Sequence, residues 1–172
     1  FLRHNFAVDA VYSSDLQRAC AGVQPFARAA GLTIRKRASL REIDGGAWEG
    51  KPVEQIAREY AADYALWRED IGLARCPGGE SVRQLQGRAV RAVEEIAAEN
   101  EGKTVLIATH AAFLRALQCV WQGIPLEEMK DVPWVPNASV TEAEMRGRDV
   151  RILRLADVSF LHGAVTSLAK GI

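Results

Sequence analysis

Short apolar runs alternate with longer stretches of helical spacing along most of the chain. The β-prone segment Asp9–Ser13 precedes a stretch of helical periodicity that extends from Leu16 to Ala30. A second apolar run, Thr104–Ala108, is unbroken, which is typical of a parallel strand buried on both faces, and helical spacing resumes from Ala111 to Trp121. The pattern therefore predicts two units in which a strand leads into a helix.

Capping residues give the predicted helices their bounds. Ser14 and Asp15 form a natural N-cap for the first helix, and Gly31 ends it. Ser81 begins a long helix that continues to about Asn100. The remaining predicted elements are a short strand at Ile34–Arg37, one or two short helices in Pro52–Glu69 with Pro52 at the first helical position, and a hairpin of Ser139–Met145 and Val150–Ala156.

The order of these elements predicts the fold class. Alternating strands and helices indicate a single α/β domain over residues 1–172, with three layers, α/β/α, around a mostly parallel central sheet. The hairpin is expected to close that sheet. Ligands of such sheets bind outside the carboxyl ends of the parallel strands, so a functional site is expected at that edge.

Composition narrows the functions that such a domain can have. The 172 residues are 48% hydrophobic and 26% charged, which is typical of a soluble globular protein. Basic and acidic residues both number 22, so no overall charge favours nucleic acid or an anionic membrane as a partner. The three cysteines are widely spaced without a CxxC pair, which argues against a disulfide framework or a zinc site. We expect a cytoplasmic protein without a membrane span, and a homodimer is left open.

Polar residues follow both of the predicted strand-to-helix junctions. Ser14 and Asp15 follow the first strand, with Arg18 one helical turn later, and Thr109 and His110 follow the other strand. Each junction also presents the first backbone N–H groups of a helix, which favour an anion such as phosphate. The residues alone therefore predict an anion site at the carboxyl edge of the sheet.

Four sequence blocks occur in a characteristic order: Tyr12–Ala19, Leu40–Asp44 with Trp48–Gly50, Pro77–Ser81, and Val105–His110 with Leu114–Ala116. Together they resemble the histidine phosphatase superfamily, which is phosphoglycerate mutase-like, from its second strand to its carboxyl end. The resemblance implies a phosphoglycerate mutase-like fold. It also implies an enzyme in which a neutral imidazole attacks a phosphate monoester to form a phosphohistidine, which water or a second acceptor discharges. No metal or cofactor is implied.

The resemblance also implies roles for individual residues. Arg18 matches the arginine that clamps the phosphate, because a planar guanidinium suits two phosphoryl oxygens. Glu42 matches the acid that protonates the departing alcohol and then activates water. His110 matches the second histidine, which donates to a phosphoryl oxygen in the transition state. Ser14 and Ala111 are also expected to contact the phosphate, and Ala111 stands where the family usually has glycine.

The nucleophile of this family is a histidine in an Arg-His-Gly motif at the end of the first strand. Arg3-His4-Asn5 looks similar, but a parallel crossover needs about a dozen residues and only Asn5 to Ala10 separate His4 from the next strand at Val11. We therefore expect Phe1–Phe6 to be the end of the helix that joins the first two strands, and His4 to be a surface residue. The nucleophile is expected upstream of residue 1, so the 172 residues alone are predicted to be inactive.

Several other residues carry structural expectations. Tyr60, Tyr64 and Trp67 indicate a small helical cap at about residues 52–76 that would cover a small organic phosphate, although the same aromatic residues suit an ordinary core. Arg115 and Trp48 are expected to be structural. His162, near the carboxyl end, is expected to be a packing or surface residue.

Three functions remain open at this stage. The first is a metal-independent phosphatase that acts on small-molecule phosphate monoesters, and the second is a phosphoglycerate mutase, which would depend on a bisphosphorylated primer. The third is a catalytically silent module that binds phosphate. The mutases of the family have adjacent arginines in a longer insertion after the acid, and no such pair lies between Glu42 and Gly79, which favours the phosphatase.

Overall fold

The described part of the chain, residues 1–162 of a computed structural model, contains a three-stranded parallel sheet. Its strands lie in the order β2–β1–β3, where β1 is Ala10–Ser14, β2 is Ile34–Arg37 and β3 is Val105–Ala108. Both neighbours of β1 run parallel to it, so the carboxyl ends of all three strands meet at one edge. Residues 163–172 of the predicted domain lie outside the described residues.

The helices follow the predicted order. They are α1 Leu2–Asn5, α2 Gln17–Ala30, α3 Val53–Glu59, α4 Ala61–Glu69, α5 Val82–Glu99 and α6 Ala111–Trp121. Ser81 caps α5 as predicted, because its hydroxyl accepts the Gln84 amide at 3.2 Å and the Gln84 side chain accepts the Ser81 amide. Pro52, predicted at the first helical position, is instead the N-cap residue of α3. Within residues 1–162, no helix combines the length and hydrophobicity that crossing a bilayer requires.

Side chains of β1 alternate between the two faces of the sheet, as the period of a strand requires. Ala10 and Tyr12 join one core cluster with α5 and α6, whereas Val11 packs on the opposite face with Val23 and Ala27 of α2. Apolar side chains therefore cover both faces of the sheet. The predicted three-layer α/β/α arrangement is confirmed.

The predicted cap of α2 is wrong. β1 continues to Ser14, and the N-cap residue of α2 is Leu16, which makes no side-chain capping bond. Ser14 accepts the Leu16 amide at 3.3 Å instead, and both carboxylate oxygens of Asp15 bind the Arg41 guanidinium at 2.6 Å. The Asp15 carboxylate, predicted to cap α2, binds Arg41 of a distant loop instead.

Two predictions about the sheet are also wrong. The side chains of β3 are only partly buried, because within residues 1–162 this strand pairs with β1 alone and its other edge is open. The hairpin, formed by β4 Val140–Arg146 and β5 Asp149–Asp157, is a separate antiparallel sheet and does not close the parallel one. An open edge presents unpaired N–H and C=O groups that another strand can bind.

The aromatic residues of the predicted cap region form a cluster around Trp48. Its ring makes edge-to-face contacts with Tyr64 and Trp67, with ring centroids 6.4 and 5.7 Å apart. Trp67 belongs to the buried core, whereas Tyr60 and Tyr64 are half-buried. The expected structural role of Trp48 is confirmed, and the cap at about residues 52–76 remains a prediction.

Candidate active site

Three loops meet at the carboxyl edge of the parallel sheet. One follows β1 at Ser14, another follows β3 and contains His110, and the third lies beyond β2 and carries Glu42. The Thr109 hydroxyl donates to the Leu40 carbonyl at 2.8 Å, which ties the end of β3 to the loop of Glu42. The fold thus brings side chains together that are far apart in sequence.

His110 lies at the N-cap position of α6, and its ring reaches across to the end of β1. Its Nε2 atom is 2.9 Å from the Ser14 hydroxyl oxygen. The pKa of His110 is lowered to about 4, mainly by burial and also by the positive charges of Arg18 and Arg88, while the charge of Asp15 acts in the opposite direction. The imidazole is therefore neutral at physiological pH, with one ring nitrogen able to donate and the other able to accept.

The Glu42 carboxylate binds backbone amides at the start of α6. One oxygen accepts the Ala112 amide at 3.2 Å, and the other accepts the amides of Phe113 at 3.3 Å and Ile43 at 3.0 Å. Burial raises the pKa of this carboxyl group, although the three amide bonds and the charge of Arg18 act in the opposite direction. A glutamate that keeps its proton to a higher pH than usual is suited to general acid catalysis.

Arg18 is an exposed residue in the first turn of α2. Its charge lowers the pKa of both Glu42 and His110, so its guanidinium lies within electrostatic reach of both groups. Ala111, the other predicted phosphate contact, is half-buried at the first position of α6. The amides of Ala112 and Phe113, at the start of the same helix, were predicted to bind an anionic ligand. In the structure they donate to the Glu42 carboxylate.

The other two histidines lie elsewhere. His4 is exposed on α1, which precedes the amino end of β1, whereas the site lies beyond its carboxyl end. His162 is exposed as well. The surface placement predicted for His4 is confirmed, and His110 is the one histidine of the sequence at the convergence of the three loops.

Arg115 has the structural role that the sequence predicts. Its side chain is buried, with 4% of the residue exposed, and donates to the carbonyls of Val132 at 2.7 Å, Met129 at 2.8 Å and Lys130 at 3.2 Å. The guanidinium also lies over the Trp134 ring, 4.3 Å from its centroid. These contacts, made by Nε and Nη2, bind Arg115 to the loop after α6.

Sequence reasoning missed Arg88, which binds the loop that carries Glu42. Glu80 precedes α5 whereas Arg88 lies within it, so no helical spacing links the two charges and the sequence carried no signal for their ion pair. Within residues 1–162, no cluster of three or more histidine, cysteine, aspartate or glutamate side chains has the arrangement to hold a metal ion.

The lowered pKa of His110 gives a direct test of the site geometry. In an NMR titration of the ligand-free protein, the His110 ring should titrate near about pH 4, below the value of about 6.5 for an ordinary histidine. Inorganic phosphate should raise this pKa, because a bound dianion stabilises the imidazolium form. Titration of His110 near pH 6.5 without ligand would contradict its buried, cation-flanked position.

Comparison with known proteins identifies the family of the chain. The model of the histidine phosphatase superfamily (branch 1) matches residues 1–158. Phosphoserine phosphatase 1 of Hydrogenobacter thermophilus is 30% identical over 148 residues, which are 86% of this chain and 70% of that protein. The structure of Bacillus stearothermophilus YhfR matches with a TM-score of 0.85 and 29% identity, covering 90% of this chain and 76% of that one. Mycobacterial glucosyl-3-phosphoglycerate phosphatase matches with a TM-score of 0.74 and 26% identity over 86% of this chain and 76% of its own.

The match of the family model over most of the chain and the matches to these two solved structures agree with the four sequence blocks. The resemblance stated from those blocks is confirmed, as is the phosphoglycerate mutase-like fold. The chain belongs to the histidine phosphatase superfamily.

Proposed function

We propose that the protein is a metal-independent phosphatase that hydrolyses small-molecule phosphate monoesters through a phosphohistidine intermediate. The observation that carries the proposal is the convergence of a neutral His110, a Glu42 of raised pKa and the charge of Arg18 at one edge of the sheet. The His110 imidazole, the Glu42 carboxyl group and the Arg18 guanidinium together supply hydrogen bonds and positive charge. In other phosphoryl-transfer enzymes a metal ion supplies part of them.

Arg18 and His110 bind the phosphoryl group. The exposed Arg18 guanidinium offers two parallel N–H donors to phosphoryl oxygens, and the start of α2 adds a partial positive charge. The His110 ring donates to another oxygen, where charge accumulates in the transition state. Ser14 is a second partner of His110 and fixes the orientation of its ring when no ligand is bound.

The nucleophilic histidine lies on a strand that precedes residue 1 and pairs with the open edge of β3. Two observations support this part of the proposal: the edge is unpaired within residues 1–162, and the apolar side chains of β3 are only partly buried there. Neighbouring strands lie about 4.8 Å apart, so a residue at the carboxyl end of a parallel strand in that position would lie beside His110. His4, at the opposite end of β1, does not fit the role.

Glu42 transfers the protons. In the first step the nucleophilic imidazole forms a bond to phosphorus while the bond from phosphorus to the ester oxygen breaks, and Glu42 gives its proton to that oxygen. In the second step Glu42, now a carboxylate, takes a proton from water as the water oxygen attacks the phosphohistidine. Phosphate and the original imidazole are released, and Glu42 is protonated again.

A panel of phosphate esters tests this function. We expect the protein that includes the upstream segment to hydrolyse small phosphate monoesters at the same rate with EDTA and without EDTA, because no step uses a metal. The 172 residues alone, under the same conditions, should show no turnover and no phosphorylation of His4.

Other outcomes distinguish the alternatives. Turnover only with a bisphosphorylated primer would identify a mutase, and phosphate binding without turnover would identify a silent module. Dependence on an added divalent metal, or phosphohistidine formed at His4, would contradict the proposed mechanism.

A further inference from the structure

Arg88, on α5, uses all of its side-chain donors. Its Nε and Nη2 atoms bind the two carboxylate oxygens of Glu80 at 2.9 and 2.7 Å. Its Nη1 atom donates to the carbonyls of Ser39 at 2.8 Å and Arg41 at 2.9 Å, and Nη2 also donates to the carbonyl of Glu42 at 3.2 Å. Five donated bonds match the five N–H groups of a guanidinium.

The three carbonyl groups belong to one short stretch of the loop that carries Glu42. Their oxygens converge on one cation, so the loop bends around the Arg88 guanidinium. If that cation were removed, the carbonyls of Ser39 and Glu42, whose bonds are partly buried, would lose their donor, and the loop would have to move to give them hydrogen bonds from water.

Glu80 fixes the other side of the same loop. Its side chain accepts the Asp44 amide at 3.3 Å, and its own amide donates to the Asp44 carbonyl at 3.0 Å. The pair is well shielded, since the Arg88 and Glu80 side chains are 21% and 15% exposed. Residues on both sides of Glu42 are thus held by one ion pair.

We propose that the ion pair of Arg88 and Glu80 positions the Glu42 carboxyl group for proton transfer, by holding the backbone on both sides of it. The inference rests on the proposed role of Glu42 as the acid. Neither partner needs to touch the substrate, because their contacts are with the loop. A general acid has to lie within hydrogen-bond reach of the oxygen that it protonates, so a displacement of the loop by about 1 Å can cost about 100-fold in rate.

The role predicts a dependence on the leaving group. An alcohol of high pKa needs the proton of Glu42 to depart, whereas p-nitrophenolate departs without it. In Arg88→Gln, kcat/KM for an alkyl phosphate should fall about 100-fold, and kcat/KM for p-nitrophenyl phosphate should change less than about 3-fold. Because Glu42 also activates water, kcat for p-nitrophenyl phosphate should fall and a burst of p-nitrophenolate should appear.

Lysine and glutamine variants separate positioning from general destabilisation. Arg88→Lys keeps the charge but loses two donors, so it should show the same pattern with a smaller loss. Glu80→Gln, which weakens the ion pair, should also show it. Arg91→Gln, an exposed arginine on the same helix, is the matched control and should leave both substrates unaffected. Inhibition by vanadate should be unchanged in Arg88→Lys, Glu80→Gln and Arg91→Gln, since Arg18 and His110 hold the anion and Arg88→Lys keeps the charge that reaches His110.

A double-mutant cycle with Glu42→Gln decides between the outcomes. If Arg88 acts through Glu42, adding Arg88→Gln to Glu42→Gln should cause no further loss of kcat/KM for the alkyl phosphate. Independent, additive losses, or equal losses on both substrates together with weaker vanadate inhibition, would overturn the inference. If Glu42→Gln itself shows no dependence on the leaving group, the proposed function fails at Glu42. If Glu42→Gln shows it and Arg88→Gln does not, only the positioning role fails.

Discussion

Alanine at His110 or at Arg18 should lower kcat/KM for p-nitrophenyl phosphate by about 100- to 1,000-fold, the loss typical of removing one donor to a developing anionic charge. In the proposed mechanism the two groups bind different oxygens of one phosphoryl group, so the double variant should lose less than the product of the single losses. Neither side chain supports the core, because Arg18 is exposed and His110 bonds only Ser14 among the described side chains. Thermal melting should therefore change by no more than a few degrees.

Matched controls for this prediction lie on the same protein. Arg28→Ala removes an exposed arginine from the last turn of α2, and His162→Ala removes an exposed histidine far along the chain, so both should retain full activity. Vanadate inhibition should weaken in the Arg18 and His110 variants and not in the controls. Unchanged turnover in both site variants would show that the phosphoryl group is bound elsewhere.

Replacing Glu42 with glutamine should have an effect that depends on the leaving group. For an alkyl phosphate we expect kcat/KM to fall by about 100- to 10,000-fold, the usual contribution of general acid catalysis, and for p-nitrophenyl phosphate we expect a far smaller fall. Glutamine keeps one oxygen, which can still accept the amides of Phe113 and Ile43, but its NH2 group cannot accept the Ala112 amide, so thermal melting of the variant has to be measured alongside its activity. Glu54→Gln, at an exposed position in the first turn of α3, is the matched control.

The pH dependence of the same reaction supplies a second readout. The acid has to be protonated, so kcat/KM for the alkyl phosphate should fall as pH rises through the pKa of Glu42, which burial places above that of an ordinary glutamate. Glutamine at this position should remove that limb of the profile. A limb that persists in the variant, or an equal loss for both leaving groups, would assign the proton to another group.

Hydrophobic periodicity predicted most of the fold because each element buries one face or one stripe. The bounds of α6 coincide with the predicted stretch from Ala111 to Trp121, and the end of β3 places His110 at the predicted edge of the sheet. Burial of β3 was predicted incorrectly, because an unbroken apolar run does not tell which of its neighbours are present. Hydrophobic periodicity indicates that a strand is suited to burial, but it does not identify the segments that bury it.

The contacts that hold the candidate site were harder to predict. Aspartate is a favoured residue type at a helix N-cap, but the Asp15 carboxylate binds Arg41 of another loop and not the amides of the helix. Arg88 binds mostly backbone carbonyls, and because every residue has a carbonyl group, such partners leave no signature in the sequence. Motifs identified the residues that we propose bind the substrate, whereas the contacts that orient them were found only from the coordinates.

The loop of Glu42 and the turn at Pro77–Gly79 fit together without space for side chains. Gly46 has a φ of +52°, and a Cβ atom there would clash with the Pro77 carbonyl, while one at Gly79 would clash with the Asp44 carbonyl. The Ala47 amide also donates to the Pro77 carbonyl at 2.8 Å. The segment that contains α3 and α4 therefore leaves and re-enters the domain through one fixed junction. We therefore expect the exposed faces of α3 and α4, away from Trp67 and its contact with Trp48, to tolerate substitution without displacing the loop of Glu42.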